Sequence, residues 1–396
     1  MKKVGSILVV SCLLVLFSFW RSFAAEPAAQ AKTLKIGLIA SLTGPMAPAF
    51  KDLADAAKPT SDLMNQRGGI TIKGQKHRIE IVTEDDQSSP PGAIAAVNRL
   101  IQAGIKFIIP PLFIPSNMAI TPITEEAKVL CMKSMGAVRD QANPNLPYSF
   151  VSSTFVYNAP VGYDYLEKNY PKVKKIAMIS PDDPVGTTYR ELAEKEIRKQ
   201  GLEIVFQEQF KIGSEDFYPI LTKTLEHKPD AIDIVFSIEP WSAGIINQSR
   251  ELGFNGPIYA SVGLLGDINI LKGMLNPKYA YDLFQMGPDV QSLKMPAIVK
   301  EYRVLVEKQI KTPFNTSHTV VLDAVYVLAQ GIEKAQSFDT DKVAQALESM
   351  KNIDTVCGRG RMAGKDFFGI NHVVRRPIAI SGIMNNKVFC EFSNRD

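Results

Sequence analysis

The sequence predicts an α/β protein of two lobes, each built on a parallel β-sheet with helices packed on it. Short apolar runs of strand length alternate with amphipathic stretches of helix length, and parallel neighbours need such helical crossovers. The alternation halts at the Pro- and Asn-rich stretch Asn143-Pro144-Asn145-Leu146-Pro147 and then starts again. At 396 residues and 45% hydrophobic content, the chain can fill two cores and is too long for one ordinary domain.

The first element is an export signal over residues 1–24. Met1-Lys2-Lys3 is its charged start, residues 5–20 its apolar run and Ser22-Phe23-Ala24 its small-residue end, so cleavage is expected after Ala24. The alternative, an uncleaved membrane anchor, needs about 20 clean apolar residues. This run is shorter and meets Arg21 at once. Val9-Val10-Ser11-Cys12 looks like a lipoprotein box, but Leu13 to Trp20 extend the apolar run past it. Cleavage removes Lys2, Lys3 and Arg21 and no acid, leaving 42 basic against 41 acidic residues. That near-neutral balance argues against a nucleic-acid partner.

Residues 34–39 read as a buried strand, and 52–66 as a helix that stops at Gly68-Gly69. A second strand over 76–86 leaves through the polar segment Asp85-Asp86-Gln87-Ser88-Ser89-Pro90-Pro91 into a helix over 92–103. Residues 105–109 form the third strand, a helix starts near Ser116, and 129–133 form the fourth strand. In the second run, strands at 174–180, 203–206, 231–238 and 257–260 alternate with helices at 187–200, 217–226 and 243–252. Long helices follow at 296–310 and 317–335, with a shorter one at 341–350. The tail alternates over 375–381 and 387–392 around Asn385-Asn386, the pattern of a hairpin. Crossings between the lobes are expected near 150, 285 and 360.

Groups that could carry chemistry are sparse. His77, His227, His318 and His372 have no His, Cys or carboxylate at metal-ligand spacing and read as surface or capping residues. Neither a Gly-x-Ser-x-Gly elbow nor a Walker phosphate loop is present. Gly358-Arg359-Gly360-Arg361-Met362-Ala363 imitates a dinucleotide fingerprint without its framing strand and helix, and reads as a loop. Cys131, Cys357 and Cys390 remain after cleavage; a bridge between Cys357 and Cys390 and free buried thiols both stay open. Asp85-Asp86, before a Pro-Pro turn, read as a solvated loop. These residues supply no catalytic constellation, metal site or cofactor site, so an enzyme is not expected. The helix after Pro115 is different. With Ser116 and Asn117 as caps and free N–H groups at its start, it suits a carboxylate. It also follows a buried parallel strand, at the sheet end where open α/β folds bind ligands.

Five segments occur in a specific order and spacing: Ser41-Leu42-Thr43-Gly44-Pro45, Asn65 to Ile70, Asp85-Asp86-Gln87, Asp182-Asp183-Pro184-Val185-Gly186 and Ser249-Arg250-Glu251-Leu252-Gly253. Across almost the whole mature chain they resemble the type I periplasmic solute-binding proteins, specifically the leucine/isoleucine/valine-binding family of ABC transporters. The resemblance implies two Rossmann-like lobes (periplasmic-binding-protein-like I) joined by a three-segment hinge. The N-terminal lobe would hold 33–152 plus 287–358 and the C-terminal lobe 153–286 plus 359–396. It further implies a monomer in the periplasm, without cofactor or metal, that closes on a small amino acid or organic acid and docks on an ABC permease in the inner membrane. A ligand that touches both lobes favours the closed state by the affinity it gains there.

In this family the ligand's carboxylate meets a Ser and backbone amides; the resemblance carries the Ser to Ser116, a gapless alignment instead to Ile114, whose side chain cannot serve, and further main-chain contacts to Ser134, Met135 and Gly136. The departures matter as much. Phe50 stands near the usual first-loop aromatic, Val185 replaces the Tyr of D-x-x-Y-G, and Trp241 aligns with the acid that pairs the ligand's ammonium, leaving Glu239 as a stand-in. Phe50, Phe113 and Trp241 could line an apolar pocket or simply pack in a core. Two ligand classes follow: branched-chain and related amino acids if Glu239 reaches the site, and carboxylic acids without an amino group, aromatic ones among them, if it does not, because an unpaired buried ammonium is costly. A sensory module reporting to a membrane signalling partner is the competing function.

Overall fold

The computed structural model describes residues 32–393 apart from 137 and 293. The export signal expected over 1–24 lies outside the described residues.

In Lys32–Ala40 (β1) the last five residues are all buried, as a strand covered on both faces requires. Ile70–Ile72 (β2), Gln75–Asp85 (β3), Phe107–Ile109 (β4), Leu130–Lys133 (β5) and Ser149–Val151 (β6) follow in chain order. β1 runs parallel to β3 from the Lys32/His77 pair to Ala40/Asp85, and β4, β5 and β6 extend the parallel sheet on its other side. β2 forms an antiparallel hairpin with β3. The preceding Gly69 has φ +71°, and a Cβ there would lie 2.2 Å from the His77 carbonyl oxygen, so the Gly-Gly stop is a steric necessity.

The second sheet takes Lys175–Pro181 (β7), Glu203–Phe210 (β8), Ala231–Ile234 (β9), Ile258–Ala260 (β10) and Leu283–Gln285 (β11), all parallel. The chain then returns. Ile353–Thr355 (β12), Gly358–Ala363 (β13) and Val373–Arg375 (β14) complete a first sheet ordered β12-β13-β14-β6-β5-β4-β1-β3-β2. Ala379–Met384 (β15) and Lys387–Phe392 (β16) complete the second, ordered β16-β15-β11-β10-β9-β7-β8. β15 and β16 are the expected hairpin, turned by Asn385 and Asn386 at φ 49° and 60°.

Two expectations change. Residues 358–363 are a strand rather than a loop: Gly360 and Met362 point inward while Arg359 and Arg361 face solvent. Because β13 and β14 both pair within the first sheet, the third crossing lies at 376–378 and not near 360, and 359–375 belong with the first lobe. Two histidines also differ. His77 and His372 are buried, with His372 stacked on Phe150 and bonded to Glu348 at 2.6 Å, whereas His227 is exposed and His318, though buried, caps its helix by accepting the Asn315 amide at 3.2 Å.

Thr316–Ala335, with 12 of its 20 residues buried, spans the first lobe's main core with Ala297–Gln309. A second core joins the first sheet's other face to the helices Pro90–Gln102 and Ile114–Glu126. In the second lobe one core contains Phe210, Phe217 and Ile258. Another runs through the crossings, mixing Val151, Phe155 and Val373 with Tyr163, Ile176 and Tyr259. The crossings are tied to one another. Asn158 Nδ2 donates to the Met286 carbonyl at 2.8 Å, and Arg376 reaches Ser153 Oγ at 2.8 Å and Asp323 Oδ2 at 2.6 Å. Cys131, Cys357 and Cys390 are free thiols.

Candidate functional site

Loops at the carboxyl ends of parallel strands are where an open α/β sheet leaves polar groups free for a ligand. In the first lobe these loops follow β1, β3, β4 and β5. Asp86 is fully buried rather than solvated, because its Oδ1 accepts Ser41 Oγ at 2.7 Å and the Ser88 amide at 2.8 Å. Asp85 accepts Thr43 Oγ1 at 2.6 Å and the amides of Leu42, Thr43 and Gln87. Burial would raise the Asp85 carboxyl, but the Thr43 hydroxyl and these backbone donors outweigh it and hold its pKa below the usual carboxylate range. The two acids stitch the first loop to the second.

The helix after β4 is Ile114–Glu126, two residues longer at its start than the sequence indicated. Phe113 is the N-cap and supplies no capping side chain. Ser116 and Asn117 therefore sit inside the first turn and do not cap it. Asn117 Nδ2 turns back to the Pro111 carbonyl at 3.0 Å. Ser116 Oγ and Asn117 Oδ1 are buried and without a hydrogen-bond partner. Buried polar atoms are normally paired, and helix geometry leaves the Ile114 and Ser116 amides without intrahelical acceptors. Unspent polar groups thus collect at one spot.

After β5, Ser134 is buried, and Gly136 donates its amide to Ser153 O at 2.9 Å and accepts Thr154 Oγ1 at 2.7 Å. A Cβ on Gly136 would lie 2.7 Å from the Val151 side chain, so glycine lets this loop lie against the first crossing. Met135 is half-buried on the core that runs through the crossings, and so is Val185, in the first turn of Pro184–Lys199 across the cleft. Asp183 caps that helix through the Gly186 amide at 2.6 Å.

Of the two readings left open for the aromatics, core packing holds for Phe50 and Trp241. Phe50 packs on the first-lobe core, Phe113 is half-exposed, and Trp241 packs in the second-lobe core with its ring edge-on to Phe210 at 5.4 Å. No ring contact joins these three among the described residues. A different set is assembled instead. Tyr189 stands edge-on to Phe155 at 6.3 Å and to Phe236 at 5.8 Å, beside the hinge and the carboxyl end of β9. Its hydroxyl is buried and unpartnered, and burial, with Asp183 nearby, raises its pKa. Tyr189 occupies an apolar position of its helix while Phe155 and Phe236 lie in loops, so the Tyr189 hydroxyl is the one signal of this set that the sequence carries.

Glu239 opens the helix Glu239–Glu251, and its Oε1 accepts the Asp267 amide at 2.6 Å. Asp267 in turn accepts Thr316 N and Oγ1, both at 3.2 Å, from the first-lobe helix. The stand-in acid is thus engaged in holding a loop that touches the other lobe.

A family model described as periplasmic binding protein matches residues 33–381. The chain belongs to that family. Its relatives include the Leu/Ile/Val-binding protein BraC3 of Rhizobium johnstonii, 27% identical over 85% of this chain and 89% of that one. The leucine-, isoleucine-, valine-, threonine- and alanine-binding protein of Pseudomonas aeruginosa is 24% identical over 81% and 83%. Among solved structures, Streptococcus pneumoniae LivJ in complex with isoleucine is similar with a TM-score of 0.71 and 20% identity, covering 91% of this chain and 99% of that one. A Rhodopseudomonas palustris solute-binding protein in complex with 4-hydroxybenzoate has a TM-score of 0.72 and 16% identity, covering 91% and 96%. These structures share the two-lobed α/β fold of the periplasmic binding protein, and the family is one of solute-binding proteins that work outside the cytoplasm.

Proposed function

We propose that this chain is the solute-capturing subunit of an ABC importer of the branched-chain amino acid type, acting as a monomer in the periplasm after cleavage near Ala24. Its ligand is a small amino acid or organic acid whose carboxylate sits on the first turn of Ile114–Glu126. The lobes 33–152 plus 287–375 and 153–286 plus 376–396 close on it, and the closed form docks on a membrane permease. The observation that carries the reading is the buried, unpartnered Ser116 hydroxyl beside free helix N–H groups at the end of a parallel strand.

A second reading narrows the ligand to acids without an amino group. It is supported by Glu239, already bonded to Asp267, and by the Phe155, Tyr189 and Phe236 set, which suits an aromatic ring. A thermal-shift screen of the mature protein against leucine, isoleucine, valine, aliphatic acids and benzoates tests both readings. At least one carboxylate is expected to raise the melting temperature. Ser116→Ala should weaken that ligand about tenfold, or about 1.4 kcal/mol, as loss of a hydrogen bond to a charged group does. A melting temperature unchanged by every one of these acids would sink the carboxylate reading.

A further inference from the structure

Lys133 ends β5, immediately before the loop proposed to meet the ligand, and only 1% of its surface is exposed. Lysines are almost never buried so fully unless paired with an acid. Here the ammonium donates to the Gln141 carbonyl oxygen at 2.6 Å, and among the described residues no carboxylate forms an ion pair with it. Glu125 is the acid that acts on it from the helix Ile114–Glu126, but its oxygens accept the Tyr148 amide and Ser149 Oγ. Cys131, on the same face of β5, is a thiol pushed up to about 11 by burial and stays neutral. Arg139 and Asp140, in the loop beyond, are exposed.

The loop is folded around this cation. Gln141, whose carbonyl takes the ammonium, also accepts the Val138 amide at 3.2 Å and donates to the Met135 carbonyl at 3.4 Å through its side chain. Lys133 also faces the helix that carries the unspent oxygens. Cys131 meets Thr124 of the antiparallel helix. Two strand residues rise about 6.6 Å, equal to about four helix residues, which sets Lys133 level with Ile120 and Thr121 and about one turn below Asn117.

We infer that Lys133 is the fixed counter-charge of the ligand's carboxylate, a positioning residue that makes the cleft select anions through the buried end of the first sheet rather than by contact. This inference rests on the carboxylate reading of the cleft. Charges interact more strongly in such an interior than in water. Burial lowers the Lys133 pKa to about 8 in the ligand-free protein. An anion bound nearby stabilises the ammonium and raises that value, so above about pH 8 binding takes up a proton and affinity falls as pH rises.

The test is isothermal titration of benzoate, 4-hydroxybenzoate, 3-methylbutanoate and leucine into the mature protein and into Lys133→Met, from pH 6.5 to 9.5. The wild-type dissociation constant should rise by up to about tenfold per pH unit above pH 8. Lys133→Met should bind at least about tenfold more weakly at pH 7, with a constant that no longer changes with pH. Should the methionine variant not fold, the wild type decides alone, through proton uptake read from the buffer dependence of the binding heat at pH 8.5. Binding of an acid with a pH-independent constant and no proton uptake overturns the role of Lys133 and leaves the carboxylate reading standing. Failure to bind any of the four acids removes both.

Discussion

Replacing Arg376 with methionine should destabilise the protein by about 3–5 kcal/mol at pH 7, the usual cost of leaving one member of a buried ion pair alone. Asp323 has 1% of its surface exposed, within the long helix Thr316–Ala335, and its Oδ2 faces the Arg376 guanidinium at 2.6 Å. Its other oxygen accepts the Val356 amide at 2.9 Å, too little to hold a charge out of water. Burial already pushes the Asp323 carboxyl up, with Arg376 and the Val356 amide pulling against it, so removing the arginine lets the pKa climb further. The folded variant then holds a proton that the unfolded chain releases. Its stability should therefore be highest in acid and fall as pH rises through the raised pKa. Urea denaturation at pH 5 and pH 7 reads both effects, and Asp323→Asn combined with Arg376→Met should recover most of the loss. A single variant within about 1 kcal/mol of wild type, with an unchanged pH response, would mean the pair is not coupled as its geometry indicates. Because Arg376 also ties the third crossing to Ser153 on the first, the same change loosens the hinge.

The sequence made the two-lobed fold legible because its central strands are continuous apolar runs of the kind that Ile36 to Ala40 exemplify, bounded by Gly-Gly or Pro-rich stops. Which sheet a strand joins is not written in such runs. β13 and β14 lie near the end of the chain but join the first sheet, because β14 pairs at Val373 with Val151, more than 200 residues away, which no local pattern reveals. The site was legible in outline only. The helix after β4 was found, but its start was misplaced, since Phe113 carries no capping chemistry and Ser116 does. Lys133 reads only as the last residue of the strand over 129–133; its burial goes with the bond from its ammonium to the Gln141 carbonyl. Trp241 had the size of a pocket wall, yet Phe210, brought alongside at the end of β8, draws it into the core.

Acidification from pH 7 to pH 4.5 should stabilise the second lobe through Asp233, and Asp233→Asn should abolish that gain. Asp233 lies in β9 beneath the helix Ala159–Asn169, fully buried, with Tyr163 OH at 2.6 Å on Oδ2 and the Ser261 amide at 3.0 Å on Oδ1; Ser261 Oγ also donates to Oδ2. Burial pushes its carboxyl up to about 6, against the lowering effect of these donors. The sign follows from proton counting. An unfolded Asp releases its proton near 3.9, so between that value and about 6 the folded state holds more protons and stability falls as pH rises. The loss is on the order of 2–3 kcal/mol by pH 7. Asparagine reproduces the neutral form: its carbonyl can take the Ser261 amide while its NH2 donates to the Tyr163 hydroxyl, in the place of the carboxylic proton. The variant should therefore match wild type at low pH and equal or exceed it at pH 7, as measured by urea denaturation at several pH values. Parallel stability curves for the two proteins would assign the pH response elsewhere and leave Asp233 ionised throughout, held by its three donors.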